Sequence, residues 1–217
     1  MSILLAKPAV PNHWVLDANI LFSEWSLALI WVLAQHQQAQ LYWTPIIEHE
    51  CFRNLVRLKR LHADDAADQQ AHLAVRLGAH RLCEDYSAYL ADVCAVDAKD
   101  RHVAAAALAL RHQTAQPVGL LTWNLKDFPR RNLLKLGVVR YSVDELACEV
   151  AGSAAQAWHL LDASVHALAA QLTKAPPKSH PTPFQLKASP LPTNQEQWLP
   201  FLARNRLHRL ARLVQRG

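Results

Sequence analysis

The chain has 217 residues, 51% of them hydrophobic and 19% charged, with a formal net charge of +5. That length supplies one large domain, or one domain with an extension, and enough apolar side chain to bury a substantial core. The composition excludes a disordered or collagen-like chain, the absence of an apolar run near ~20 residues excludes a membrane span, and the basic balance suits a polyanionic partner such as a nucleic acid.

Cys51, Cys83, Cys94 and Cys148 form no C-x-x-C pair, which argues against structural zinc bound by cysteine pairs and for reduced thiols. The N-terminal MSILLAKPAVPNH is too short and too broken by proline for a signal peptide. Together these features predict a cytoplasmic protein.

The first element is the apolar run Trp14-Val15-Leu16, which fits a buried parallel strand with Asp17 at its carboxyl end. SEWSLALIWVLAQHQ follows as a helix, with Leu27, Ile30, Trp31 and Ala34 on its apolar face. Thr44-Pro45 marks the start of a second helix, with Thr as N-cap and Pro at the first helical position. Ile47, Cys51, Leu55 and Leu58 form its apolar stripe, and a third helix runs from Asp64 to Leu77. Asp100 to His112 predicts a close-packed, alanine-rich helix with Asp97 or Asp100 near its N-terminus, where the helix dipole favours a carboxylate. Val118–Thr122 and Gly137–Tyr141 are strand candidates, and Ser142 with Glu145 predicts a capping box. Short apolar strands alternating with helices predict an α/β fold around a parallel sheet.

The character changes near residue 150. An alanine-rich helix is expected from Ser153 to Thr173, then a proline-rich extended connection over 175–193, then an amphipathic helical tail carrying Trp198, Phe201, Leu202, Leu207, Leu210 and Leu213. The expected organisation is a domain over 1–150 and a helical C-terminal extension over 151–217.

Acidic residues recur at element ends or on adjoining helix surface: Asp17, the pair Glu48 and Glu50, the pair Asp97 and Asp100, and Asp127. Singly, each reads as an ordinary solvated acid. Brought together at the carboxyl ends of parallel strands, where open α/β sheets bind ligands, they would repel by ~1–4 kcal/mol per close pair. A hard divalent cation offsets that repulsion, and all-oxygen donors suit Mg2+ or Mn2+. Glu48 and Glu50 lie about 200° apart on a helix, so only one can face such a cation, and periodicity alone does not choose between them.

The blocks VLDANILF, TPIIEHECFRNL, VDAKDRHVAAAAL and LLTWNLKDFP, in that order, resemble the four motifs of PIN-domain nucleases. They are most similar to VapC-like toxins of type II toxin–antitoxin systems. The resemblance implies a three-layer α/β/α fold with a short central parallel sheet, and a site of Asp17, Glu50, Asp100 and Asp127 holding Mg2+ or Mn2+. Glu50 is preferred over Glu48 because it stands three residues before the R-N-L segment. Asn124 replaces an acid that many members carry, which leaves one formal charge fewer. Thr122, Asn124 and Asp97 are supporting candidates, with Thr122 expected to orient Asp17 or a bound water. Arg53, Arg57, Lys126 and Arg130 are candidate RNA contacts, each equally readable as a solvated surface charge. Arg101 and His102 pair internally at the helix start in one reading.

The implied activity is hydrolysis of RNA phosphodiester bonds, with a small DNA-binding antitoxin and a second copy of the chain as expected partners. Two alternatives remain open on the sequence: a PIN nuclease with a housekeeping RNA-processing role, and an inactive RNA-binding or interaction module.

Overall fold

A computed structural model describes residues 9–77, 80–81, 85–174, 178–180 and 191–216. Strand β1 (His13–Leu16) leads into a single helical turn, α1 (Ala18–Leu21), then α2 (Glu24–Gln37), β2 (Gln40–Trp43), α3 (Pro45–Arg57) and α4 (Ala63–Leu77). A two-residue strand, β3 (His80–Arg81), precedes α5 (Arg101–Thr114), β4 (Val118–Leu121), α6 (Arg130–Lys135) and β5 (Val138–Tyr141). The chain closes with α7 (Val143–Ala151), α8 (Ala154–Lys174), α9 (Gln195–Arg204) and α10 (His208–Val214).

The sheet order is β3-β2-β1-β4-β5, and every neighbouring pair is parallel. Strands β1, β4 and β5 are short and almost wholly buried, so they read as largely continuous apolar runs rather than alternating ones. Connections from β1 through β2 to β3 run one way across the sheet, and those from β3 through β4 to β5 run back. Right-handed crossovers therefore put α2, α3 and α4 on one face and α5 and α6 on the other. Helix α5 meets β1, β4 and β5, and its buried run from Val103 to Leu110 is alanine-rich, which permits close approach to the sheet.

The direction of winding reverses between β1 and β4. Leu16 pairs with Leu121, and the Asp17 N–H donates to the Leu121 carbonyl at 3.0 Å. Asp17 and Thr122 consequently leave the sheet side by side. Gly119 permits this pairing, since a Cβ there would stand 2.9 Å from the Trp14 ring.

Local signals behave as their chemistry dictates. Thr44 caps α3 by accepting the Ile47 N–H at 3.2 Å, with Pro45 following. Ser142 and Glu145 form the reciprocal capping box of α7. Other expectations are corrected. Gln40–Trp43 is a strand, although the Thr-Pro helix signal beside it dominates the sequence there. Helix α2 is buried on nearly every side rather than along one stripe, because α7 and α8 cover the surface away from the sheet. Leu58 falls beyond the end of α3 and is exposed. The C-terminal tail is two helices, broken where Arg206 adopts a positive φ of 62°. Most of the proline-rich stretch lies outside the described residues.

Helices α8, α9 and α10 share one hydrophobic core with the α/β body. The Phe201 ring stands edge-on to Trp25 of α2 at 4.9 Å, with Trp198 beside both. The buried Asp144 carboxylate of α7 accepts the backbone N–H groups of Arg209 and Leu210, each at 2.9 Å, and so fixes the start of α10. Asp144→Ala should lower unfolding stability in urea by about 1–3 kcal/mol, since it leaves buried donors without an acceptor. An unchanged midpoint and slope would contradict this account of how the last helix is held.

Candidate active site

Asp17 follows β1 directly and is 5% exposed. Its Oδ2 accepts the Thr122 hydroxyl at 2.6 Å and the Asn19 amide at 2.5 Å. Asn19 also donates to Thr122 Oγ1 at 3.2 Å, while its own oxygen accepts the Trp123 N–H at 3.0 Å. The single turn of α1 carries Asn19 back over the carboxylate two residues before it. Burial raises the Asp17 pKa above the usual carboxylate value, the Thr122 and Ala18 hydrogen bonds oppose that rise, and the charge of Glu50 adds to it.

Asp100 occupies the N-cap position of α5, and Asn124 bridges from β4 towards it. The Asn124 N–H donates to Thr122 Oγ1 at 2.9 Å. Its side-chain amide donates to Asp100 Oδ2 at 3.2 Å and also to Asp127 Oδ2. One network thus joins Asp17, Thr122, Asn124, Asp100 and Asp127 across the β1/β4 boundary. Burial, followed by the negative charge of Asp17, pushes Asp100 up to about 6 despite the opposing Lys99. Asp127 moves the other way, because Lys99 and Asn124 hydrogen-bond to its ionised form. The Lys99 ammonium stands 3.1 Å from Asp127 and 4.0 Å from Asp100. Arg140 of β5 donates to the Leu125 carbonyl at 2.8 Å, which fixes the turn that presents Asp127.

The two glutamates of α3 separate clearly. Glu48 is buried and accepts the Trp43 indole N–H at 2.7 Å and the Gln70 amide at 2.8 Å, so it ties α3 to β2 and α4. Glu50 is partly exposed, acts electrostatically on Asp17, and faces His102 Nε2 at 3.5 Å. Glu50 is the α3 carboxylate that joins the cluster.

Asp97 is not the N-cap of α5. It is exposed, accepts the Lys99 N–H at 3.2 Å and donates its own N–H to the Asp127 carbonyl at 3.2 Å, so it braces the loop beneath the cluster. Arg101 is engaged internally, donating to the Val96 and Cys94 carbonyls at 3.0 Å each. Arg53 and Arg57 are exposed on the helix that carries Glu50, and Lys126 and Arg130 are exposed on either side of Asp127. Asn19, Lys99 and His102 are site neighbours that motif reading did not single out as site residues. The D-A-N spacing beside a strand end is the signal that points to Asn19, since an amide two residues on can fold back onto the acid.

The cluster gathers hard oxygen donors where burial, with like charges adding to it, raises two carboxyl pKa values, an arrangement that a divalent cation would relieve. No protein-family model, no curated protein and no solved structure matches the chain.

A carboxyl raised to about 6 by its surroundings destabilises the metal-free fold when it ionises. For such a group the stability is full below the unfolded value near 4 and is lost as pH rises through 6. Asp100→Asn should therefore raise the Tm of metal-free protein at pH 8, with the gain shrinking between pH 6 and 4 and absent below. Thermal melts across that range test this, and a gain independent of pH would contradict it.

Proposed function

We propose that the chain is a divalent-cation-dependent ribonuclease of the PIN-domain type, hydrolysing RNA phosphodiester bonds as the toxin of a toxin–antitoxin pair. The observation that carries this reading is the hydrogen-bonded network of Asp17, Thr122, Asn124, Asp100 and Asp127 at the reversal of strand order, with Glu50 alongside. Three of the four sequence blocks supply the members of that network, and the second block supplies Glu50 beside it.

Asp17, Glu50, Asp100 and Asp127 would hold Mg2+ or Mn2+ through carboxylate oxygens. When bound, the cation would lower the pKa of the attacking water and stabilise charge on the phosphate. Thr122 and Asn19 keep the Asp17 carboxylate in a fixed orientation, which avoids reorganisation during the reaction. Asn124 does the same for Asp100 and Asp127 without adding a negative charge. Lys126 and Arg130, with Arg53 and Arg57, supply cationic surface for the phosphate backbone. In this reading a water activated by the cation would be the nucleophile and the 3′-oxygen the leaving group, so that the products would carry a 5′-phosphate and a 3′-hydroxyl.

The toxin reading brings a small DNA-binding antitoxin and a second copy of the chain as partners. No helix among the described residues is long and apolar enough to cross a membrane.

RNA cleavage with added Mg2+ or Mn2+ tests the proposal. Asp17→Asn, Asp100→Asn and Glu50→Gln should each lower the rate on the order of 100-fold or more. Glu48→Gln, assayed at a temperature where the variant remains folded, should retain most activity. Cleavage that survives EDTA and all three active-site substitutions would refute the reading.

A further inference from the structure

A second group of metal-ligating side chains lies away from the carboxylate cluster. His62 immediately precedes α4, Asp64 lies in the first turn of that helix, and His180 comes from the described segment 178–180. One donor atom from each lies within 4.8 Å of the other two.

The segment bearing His180 is anchored independently. The buried Asp65 carboxylate accepts the backbone N–H groups of Ser179 at 2.9 Å and His180 at 3.2 Å. Lys178 Nζ stands 3.1 Å from Glu24 Oε1 on α2. These contacts place the His180 ring over that of His62, with centroids 4.2 Å apart and 22° between the planes.

We propose that His62, Asp64 and His180 bind a transition-metal ion of the Zn2+ class, which clamps residues 178–180 to the start of α4. Tetrahedral zinc with bonds of about 2.0–2.1 Å sets its ligand atoms about 3.4 Å apart. His62 Nδ1 and Asp64 Oδ2 are already 3.4 Å apart, and His180 Nε2 is 4.0 Å from the same oxygen. Metal binding would turn the two stacked imidazoles so that their nitrogens converge with the Asp64 oxygen. Two imidazoles and one carboxylate form a donor set of intermediate softness, which favours zinc over magnesium.

The other nitrogen of His180 supplies a separate indication. Nδ1 faces Asp65 Oδ1 at 3.8 Å while Nε2 faces the candidate metal position. On metal binding the Asp65 carboxylate, now beyond hydrogen-bond reach of Nδ1, would approach to receive the distal N–H, the arrangement that orients histidine ligands in zinc sites. The three side chains are about half or more exposed, which leaves room for a water or an exogenous ligand as fourth donor.

The test is calorimetric titration of chelator-stripped, full-length protein with Zn2+, in an Asp17→Asn/Asp100→Asn background that disables the carboxylate cluster. One equivalent should bind, and Co2+ in its place should give the visible bands of a four-coordinate nitrogen and oxygen site without thiolate charge transfer. His62→Ala and His180→Ala should each weaken binding on the order of 100-fold, and the shape-conserving Asp64→Asn should weaken it too. His159→Ala, which removes an exposed histidine on α8, should leave affinity unchanged. Circular dichroism verifies that each variant is folded. Failure to bind one equivalent at micromolar Zn2+, or equal affinity in the His62 and His180 variants, would overturn the proposal without touching the ribonuclease reading.

Discussion

The Asp17 carboxylate sits almost fully out of water at the end of a central strand, and two hydrogen bonds to a single oxygen keep it there. Burying a carboxylate is costly unless its oxygens find donors. Here the donors come from both sides of the strand-order reversal: Asn19 from the turn after β1, and Thr122 from the end of β4. Each partner is then fixed in turn, Asn19 by the Trp123 N–H and Thr122 by the Asn124 N–H. The β1–β4 register that brings Leu16 opposite Leu121 makes this possible, because a slip of one residue would turn the Thr122 side chain to the other face.

The remaining carboxylates follow from that arrangement. Asn124 lies two residues beyond Thr122 and holds both Asp100 and Asp127, so the α5 N-terminus and the turn after β4 cannot move independently. The alanine face of α5 allows its start to approach the sheet closely enough for Asp100 to feel Asp17. On the other side, Glu48 binds Trp43 and Gln70, which sets the rotation of α3 and turns Glu50 towards the cluster. The C-terminal helices contribute at a distance: they cover α2 and α7 and complete the core beneath that face of the sheet.

Much of this was legible in the sequence because its signals are local. Thr44-Pro45 and Ser142–Glu145 announce helix starts through hydrogen bonds made within one turn. The apolar runs at Trp14 and Val118 announce buried strands, and the acids at or just beyond their ends follow from the topology. What escaped depends on partners distant in sequence. Helical period does not choose between Glu48 and Glu50; the spacing to R-N-L favours Glu50 by resemblance, while the engagement of Glu48 with Trp43 and Gln70 is visible only in the structure. Strand β2 is too short to outweigh the helix signal beside it, and acquires its identity from pairing with β1. The burial of α2 on nearly every side reflects α8, which lies more than a hundred residues further along the chain. Lys99 reaches Asp127 only because the loop before α5 folds against the turn after β4.

The central claim is that the buried Asp17 and its neighbouring carboxylates form a divalent-cation site. Anomalous diffraction from crystals of the full-length protein grown with Mn2+ tests it most directly. The account predicts an anomalous peak at about 2.1 Å from carboxylate oxygens of Asp17 and Asp100, with the Thr122 hydroxyl still bonded to Asp17. Well-ordered side chains at this cluster with no peak between them, at a Mn2+ concentration that supports RNA cleavage, would contradict it.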